Sequence, residues 1–239
     1  MRDTLDLLRL FTPLDFAAVA GILLAWAGIG WLIENPPASR PSVSRLMARY
    51  RREWMRVMVT RQPRIFDAQA LGTLRHGTSF FASATMIAIG GAMALIGNAD
   101  RLQGIAHDLT LGADPRIVWE MKLLLAVFFL ANAFLKFVWS HRLFGYCLVL
   151  MGSVPNDPED PAALPRAAQA AEINITAVRG FNRGLRSVYF AFGATAWMLG
   201  AIPLLAATAI TLGVLWRREF ASQSRAVLLR DAAETDTPT

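Results

Sequence analysis

Along the chain, hydrophobic positions gather into four long runs separated by polar stretches of differing character. The first, about residues 13–33, is long enough as a helix to cross the hydrocarbon core of a bilayer. It opens on Thr12-Pro13-Leu14-Asp15, with Thr12 as N-cap, Pro13 at the first helical position and Asp15 able to reach back to free amides. Ala17, Gly21 and Gly28 line one side, Trp26 and Trp31 lie toward the far end, and Glu34-Asn35-Pro36-Pro37 stops the run. The second run covers about 78–98 and gathers Ser79, Ser83, Gly90, Ala94 and Gly97 on one small-residue face. The third, 117–152, is too long for one vertical span, yet its interruption Lys136 to Arg142 contains no glycine or proline to turn the chain. One helix is therefore expected, crossing over about 118–140 and continuing to about 152. The fourth span is expected over 188–216 as a single helix kinked at Pro203.

A different pattern fills residues 42–76. With about 100° per residue, Val43, Leu46, Met47, Tyr50, Trp54, Val57 and Met58 share one helical face, while Arg45, Arg49, Arg52 and Arg56 cluster opposite. Ser42 or Ser44 can cap this helix and Pro63 ends it. A shorter amphipathic piece restarts there, carries Ile65, Phe66, Ala70, Leu71 and Leu74, and runs to His76-Gly77. The apolar face is expected to lie against the membrane and hold the four arginines in a row toward anionic headgroups.

Residues 153–165 hold Pro155, Pro158, Pro161 and Pro165 among Asp157, Glu159 and Asp160, which reads as a proline-rich linker. A helix is expected from about Arg166, entering the membrane near Val188, and the tail 219–239 is polar, with Asp236 to Thr239 expected to be disordered. The fold class is an all-α integral membrane protein: one membrane domain over 1–239, with four transmembrane helices and amphipathic and extended helices on the cytoplasmic side.

Composition agrees. At 54% hydrophobic and 18% charged residues, with mean hydropathy +0.38, the chain of 239 residues is too apolar for an ordinary soluble domain and too short for several membrane domains. Arg2, Asp3, Asp6 and Arg9 give no basic start of a cleaved signal peptide. The isoelectric point near 10.4 could suggest nucleic acid, but the arginines concentrate beside apolar spans, the mark of positive-inside topology, so nucleic acid is not expected. Nine arginines lie in 34–77 and four (Arg166, Arg179, Arg183, Arg186) in 153–187. The expected opposite side holds eight: Arg2, Arg9, Arg101, Arg116, Arg217, Arg218, Arg225 and Arg230. Thirteen against eight makes 34–77 and 153–187 cytoplasmic and leaves both termini outside a bacterial inner membrane, with the Arg217-Arg218 pair counting against it.

Candidate chemistry is sparse. Lys122, Asn132, Lys136 and Ser140 fall on one side of the third helix, and the two lysines are the only ones in the chain. Such an intramembrane polar stripe can line an ion path. The plainer reading has the lysines, about 21 Å apart, snorkelling to opposite headgroup layers and Asn132 bonding another helix. A second constellation joins Arg61, Arg64 and Asp67 to Glu172, Arg179, Arg183 and Arg186. Arginine forks suit phosphate or carboxylate, though Asp67 and Glu172 can equally neutralise them in structural ion pairs. His76, His107 and His141 stand in separate segments, and Cys147 is the single cysteine, so no metal-ligand spacing and no disulfide arise. No nucleophile elbow or phosphate-binding glycine loop occurs, so no catalytic residue, metal or cofactor is expected. Asn174-Ile175-Thr176 matches the glycosylation sequon, a motif short enough to recur by chance.

Several runs carry a family resemblance: Trp54-Met55, Arg61-x-x-Arg64-x-x-Asp67, Lys136-Phe137-x-Trp139-Ser140-x-Arg142-x-Phe144-x-Tyr146, Phe181-Asn182-x-Gly184-Leu185-Arg186-x-x-Tyr189, and Arg218-Glu219-Phe220. Together they resemble the multi-pass membrane proteins grouped as domain of unknown function 599, over about residues 13–230, with Gly145 where the family pattern has asparagine. The resemblance implies a four-span bundle and no assigned activity.

The function expected is therefore a non-enzymatic scaffold or interaction protein whose basic cytoplasmic face (Arg45, Arg49, Arg52, Arg56) contacts anionic lipid or a protein partner, with small-residue faces suited to a homo-oligomer. The alternatives are a small oligomeric channel or transporter using the lysine stripe, and a membrane enzyme acting on a phosphorylated lipid headgroup at the arginine cluster.

Overall fold

The computed structural model describes residues 10–98 and 115–234, with side chains to 230. Residues 99–114, between the second and third apolar runs, and the tail end Asp236 to Thr239 lie outside the described residues. The helices are α1 (Pro13–Glu34), α2 (Val43–Met58), α3 (Ile65–Gly97), α4 (Arg116–Gly152), α5 (Ala163–Thr195), α6 (Ala201–Phe220) and α7 (Gln223–Glu234), with a 3₁₀ turn at Ala196–Leu199. Among the described residues there is no strand. The chain is an all-α multi-pass membrane protein, and among the described residues four stretches are long and apolar enough to cross a bilayer: Pro13–Glu34, Ile65–Gly97, Arg116–Gly152 and Ala201–Arg230.

Several expected boundaries move. The amphipathic piece after Pro63 and the second span are one helix of 33 residues, because nothing from Ile65 to Gly97 denies the backbone its helical bonds. Most of the polar tail is helical, as α7. The fourth span is not one kinked helix over 188–216. α5 ends at Thr195, the 3₁₀ turn follows, and Gly200 at φ +117° reverses the chain. That conformation favours a residue without Cβ. Pro203 then sits in the first turn of α6, where a missing amide proton costs nothing.

The chain forms two compact units, each assembled from three stretches. The first comprises residues 1–30, 84–133 and 185–215. Here α6 doubles back along α5: a Cβ on Gly193 would stand 3.3 Å from Thr211 Oγ1 and 3.9 Å from the Ala207 carbonyl. The start of α1 is closed by the capping box its sequence predicts, with Thr12 N and Oγ1 donating to Asp15 Oδ2 at 3.0 and 2.7 Å and Asp15 N donating to Thr12 Oγ1 at 3.2 Å. Asp15 Oδ1 also accepts from Trp197 Nε1 at 2.7 Å, tying this cap to the 3₁₀ turn that follows α5. Deeper in, Trp26 Nε1 donates to Ser187 Oγ at 3.2 Å and Ser187 Oγ donates to Asn132 Oδ1 at 3.1 Å, so one polar chain joins α1, α5 and α4.

The second unit comprises residues 31–83, 134–184 and 216–239. Its core is built from α2, α3, α4 and α5: Met55, Met58, Leu71, Leu143, Phe144, Cys147 and Met151 pack against Ala163, Ala167, Ala170, Ala171 and Ala177. The alanine stripe lets α4 approach α5 closely, so that Ser140 Oγ donates to the Ala177 carbonyl at 2.7 Å. Nearby, the buried Phe137 ring occupies the side-chain space of Gly184: a Cβ there would lie 2.6 Å from Cε1 and 2.8 Å from Cδ1. Phe81 and Phe181 complete the aromatic group, with ring centroids 5.5–5.6 Å from that of Phe137.

The same unit corrects the expected position of the C-terminal segment. Ser44 N and Oγ donate to Glu219 Oε2 at 3.1 and 3.0 Å, Arg225 Nε donates to the Pro41 carbonyl at 2.9 Å, and Arg40 lies 4.7 Å over the Trp216 ring. Residues 216–225 thus pack against 40–44, so the end of α6 and the start of α7 are not opposite the 34–77 segment. The reversal at Gly200, which has no strong signature in a run of apolar residues, is the physical reason.

Gly184→Ala is expected to destabilise the protein by about 1–3 kcal/mol, the usual cost of overpacking a well-filled site. Thermal unfolding in detergent measures it, and Phe137→Leu in the same chain is expected to recover part of the loss. A Gly184→Ala midpoint equal to that of the parent would contradict the packing.

Candidate functional site

The features most open to function are the arginines of the second unit, so their geometry is built from α2 outward. Ser42, fully buried, is the N-cap: its Oγ accepts from Arg45 N at 3.2 Å and donates to the Ile33 carbonyl at 2.8 Å. From there the helix runs antiparallel to the first half of α5, and Leu46, Met55 and Met58 are buried. The apolar face predicted to lie on the membrane is instead part of the protein core. Met55, absent from the predicted face, is wholly buried, whereas Met47 and Val57 at its edges are exposed.

With that face turned inward, Arg45, Arg49, Arg52 and Arg56 are all exposed. Two of them are engaged. Arg52 Nε donates to Glu172 Oε1 at 2.6 Å, which raises the Arg52 pKa, and Arg56 forks onto Glu53 at 2.7 and 3.0 Å, which raises that of Arg56 and lowers that of Glu53. Arg45 and Arg49 make no side-chain hydrogen bond or ion pair among the described residues.

Arg51, not singled out by sequence, turns inward and donates through Nη1 to Asn174 Oδ1 at 2.6 Å. Burial lowers its pKa. Asn174 is fully buried and approaches Cys147 Sγ at 3.8 Å, while Cys147 Sγ donates to the Ala170 carbonyl at 3.4 Å. The signal available in the sequence was a lone polar residue within the alanine stripe of α5.

The expected arginine cluster is not one site. Asp67, with no exposed surface, accepts from Trp54 Nε1 at 2.6 Å and from Arg61 Nη1 on the same oxygen. Its Oδ2 is buried with no hydrogen-bond partner among the described residues. Arg64 places its fork on backbone instead, donating to the Val154 and Pro155 carbonyls at 2.7 and 2.6 Å, just beyond the C-terminal end of α4. Arg183 forks onto Glu34, a pairing that raises its pKa. Arg179 is exposed and makes no side-chain hydrogen bond or ion pair among the described residues. Arg186 belongs to the first unit, 7% exposed, with its guanidinium 3.9–4.0 Å from where a Gly30 Cβ would stand.

The lysine stripe is likewise divided. Lys122 and Asn132 lie in the first unit, Lys136 and Ser140 in the second. Lys122 is buried, with Nζ 5.2 Å from the Trp119 ring centroid. Lys136 is half-buried. Asn132 and Ser140 both serve helix-to-helix hydrogen bonds. Among the described residues, no group of histidine, cysteine, aspartate and glutamate side chains could hold a metal ion.

Comparisons with known proteins bring in no activity. No curated protein and no solved structure matches the chain. The runs Arg61 to Asp67, Lys136 to Tyr146 and Phe181 to Tyr189 include the residues that lock the loop before α3 and the seam between α4 and α5. The sequence model described as "Protein of unknown function, DUF599" matches residues 17–224, most of the chain, and the protein belongs to that family.

Proposed function

We propose that this is a non-catalytic membrane protein that presents a fixed basic surface to the cytoplasmic leaflet and holds anionic lipid headgroups there. The observation that carries this reading is the orientation of α2, whose apolar face is taken up by the core so that its arginine row is exposed. Charge distribution supports it. The second unit holds 18 of the 24 basic residues and 11 of the 18 acidic ones, a net +7, which leaves the first unit at −1.

In the proposed topology the second unit is cytoplasmic. The packing of 216–225 on 40–44 moves Arg217, Arg218, Arg225 and Arg230 to the basic side, so that thirteen against eight becomes seventeen against four. The Arg217-Arg218 pair then supports the orientation. The N-terminus is outside and the C-terminus inside, with the apolar end of α5 and its 3₁₀ turn completing an odd number of passages. Trp31, Trp139 and Trp216 are exposed and belong to the second unit, as expected for an interfacial belt at the headgroup level. No observation favours the transport or the headgroup-enzyme reading.

Two measurements test the proposal. Protein extracted with its surrounding lipid should carry anionic phospholipid enriched over the bulk membrane, and the enrichment should fall at high salt. A lipid composition equal to the bulk would reject it. In a Cys147→Ala background, cysteines at Ala38 and Ser224 should both resist an impermeant thiol reagent in intact cells and both react in inverted vesicles. Labelling of one and not the other in intact cells would break the topology.

A further inference from the structure

α2 and α5 pair in antiparallel register through Arg51 with Asn174 and Arg52 with Glu172. One heptad back along α2 from Arg52 is Arg45, and one heptad forward along α5 from Glu172 is Arg179. A heptad returns to the same helix face within about 20° and advances about 10.5 Å, here in the same direction on both helices. Arg45 and Arg179 therefore occupy facing positions where the preceding heptad sets Arg52 against Glu172. Arg49 lies one turn along the same α2 stripe. The lane between them is bounded by two Arg–Glu pairs, Arg52 with Glu172 and Arg183 with Glu34, so both of those acids are already engaged. Arg45, Arg49 and Arg179 are exposed, and each lacks a side-chain hydrogen bond or ion pair among the described residues.

Three guanidinium groups facing one lane repel one another until an anion with several acceptor oxygens lies between them. We propose that the lane is a phosphate site formed by Arg45, Arg49 and Arg179, and that it takes the phosphate of an anionic phospholipid headgroup. The lipid assignment rests on the membrane-facing reading above. Its local support is Arg40 stacked on the exposed Trp216, close to the N-terminal end of α2, which sets that end of the lane at the interfacial tryptophans.

The test uses the full-length protein in nanodiscs of phosphatidylcholine with phosphatidylglycerol, and reads the phosphatidylglycerol retained after detergent release by native mass spectrometry. Arg45→Gln with Arg179→Gln is expected to lower retention about tenfold, equivalent to about 1.4 kcal/mol. The charge-matched control Arg142→Gln with Arg230→Gln should change it less than about twofold, because diffuse surface charge is screened. Arg179→Glu, which supplies Arg45 with the carboxylate that Glu172 supplies to Arg52, should abolish retention and raise the unfolding midpoint. Equal loss in the two double variants, or unchanged retention in the first, overturns the lane. Titration of inorganic phosphate into protein in phosphatidylcholine nanodiscs separates the sources. Phosphate binding abolished by Arg45→Gln with Arg179→Gln, without any preference for phosphatidylglycerol, keeps the site and overturns the lipid reading. Phosphatidylglycerol enrichment that survives the double variant keeps the lipid reading and overturns the site.

Discussion

The close antiparallel contact of α4 with α5 is the constraint on which the remaining structure depends. In the second unit it is made possible by what α5 lacks: no side chain at Gly184, where the Phe137 ring sits, and only methyl groups along Ala163, Ala167, Ala170, Ala171 and Ala177. Between apolar helices, burial of hydrocarbon gives little driving force inside a membrane, so close packing and interhelical hydrogen bonds must supply it. Ser140 with the Ala177 carbonyl does this in the second unit, and Asn132 with Ser187 in the first.

That seam also decides the electrostatics. α2 finds its apolar partner in the core beside α4 and α5, so its opposite face is held outward whether or not a bilayer is near. Some of the resulting charge is neutralised locally by Glu172 and Glu53, exposed pairs that stabilise only weakly. The buried polar contacts have a different role. Asp67 with Trp54 and Arg61, and Arg64 with the Val154 and Pro155 carbonyls, fix the chain between α2 and α3 against the end of α4.

Much of the helical layout was legible because it rests on local signals. The Thr12 to Asp15 cap, the continuous helix through Lys136 to Arg142 and the arginine stripe of α2 all follow from spacing and turn chemistry within a few residues. What was not legible depends on distant partners. An apolar helical face looks the same in sequence whether it meets lipid or protein, which is why α2 read as a membrane-lying helix. The reversal at Gly200 was hidden because both of its arms are apolar, and only the contacts of Gly193 with α6 and of Glu219 with Ser44 distinguish a hairpin from a kinked span. At the candidate site, the arginines could be found as a set, but their assignment to Glu172, Glu34, Asp67 or backbone required the fold. The resemblance motifs shared this property, since Phe137, Ser140 and Gly184 act through packing and carry no reactive group.

Backbone hydrogen exchange of α2 in neutral and in anionic lipid tests most directly the claim that this helix belongs to the core. If its apolar face is built into the second unit, amides from Leu46 to Met58 are protected to the same degree in phosphatidylcholine and in phosphatidylglycerol nanodiscs. Rapid exchange of that segment in neutral lipid, with protection gained only on adding anionic lipid, would show a helix that folds on the membrane surface and would contradict the account.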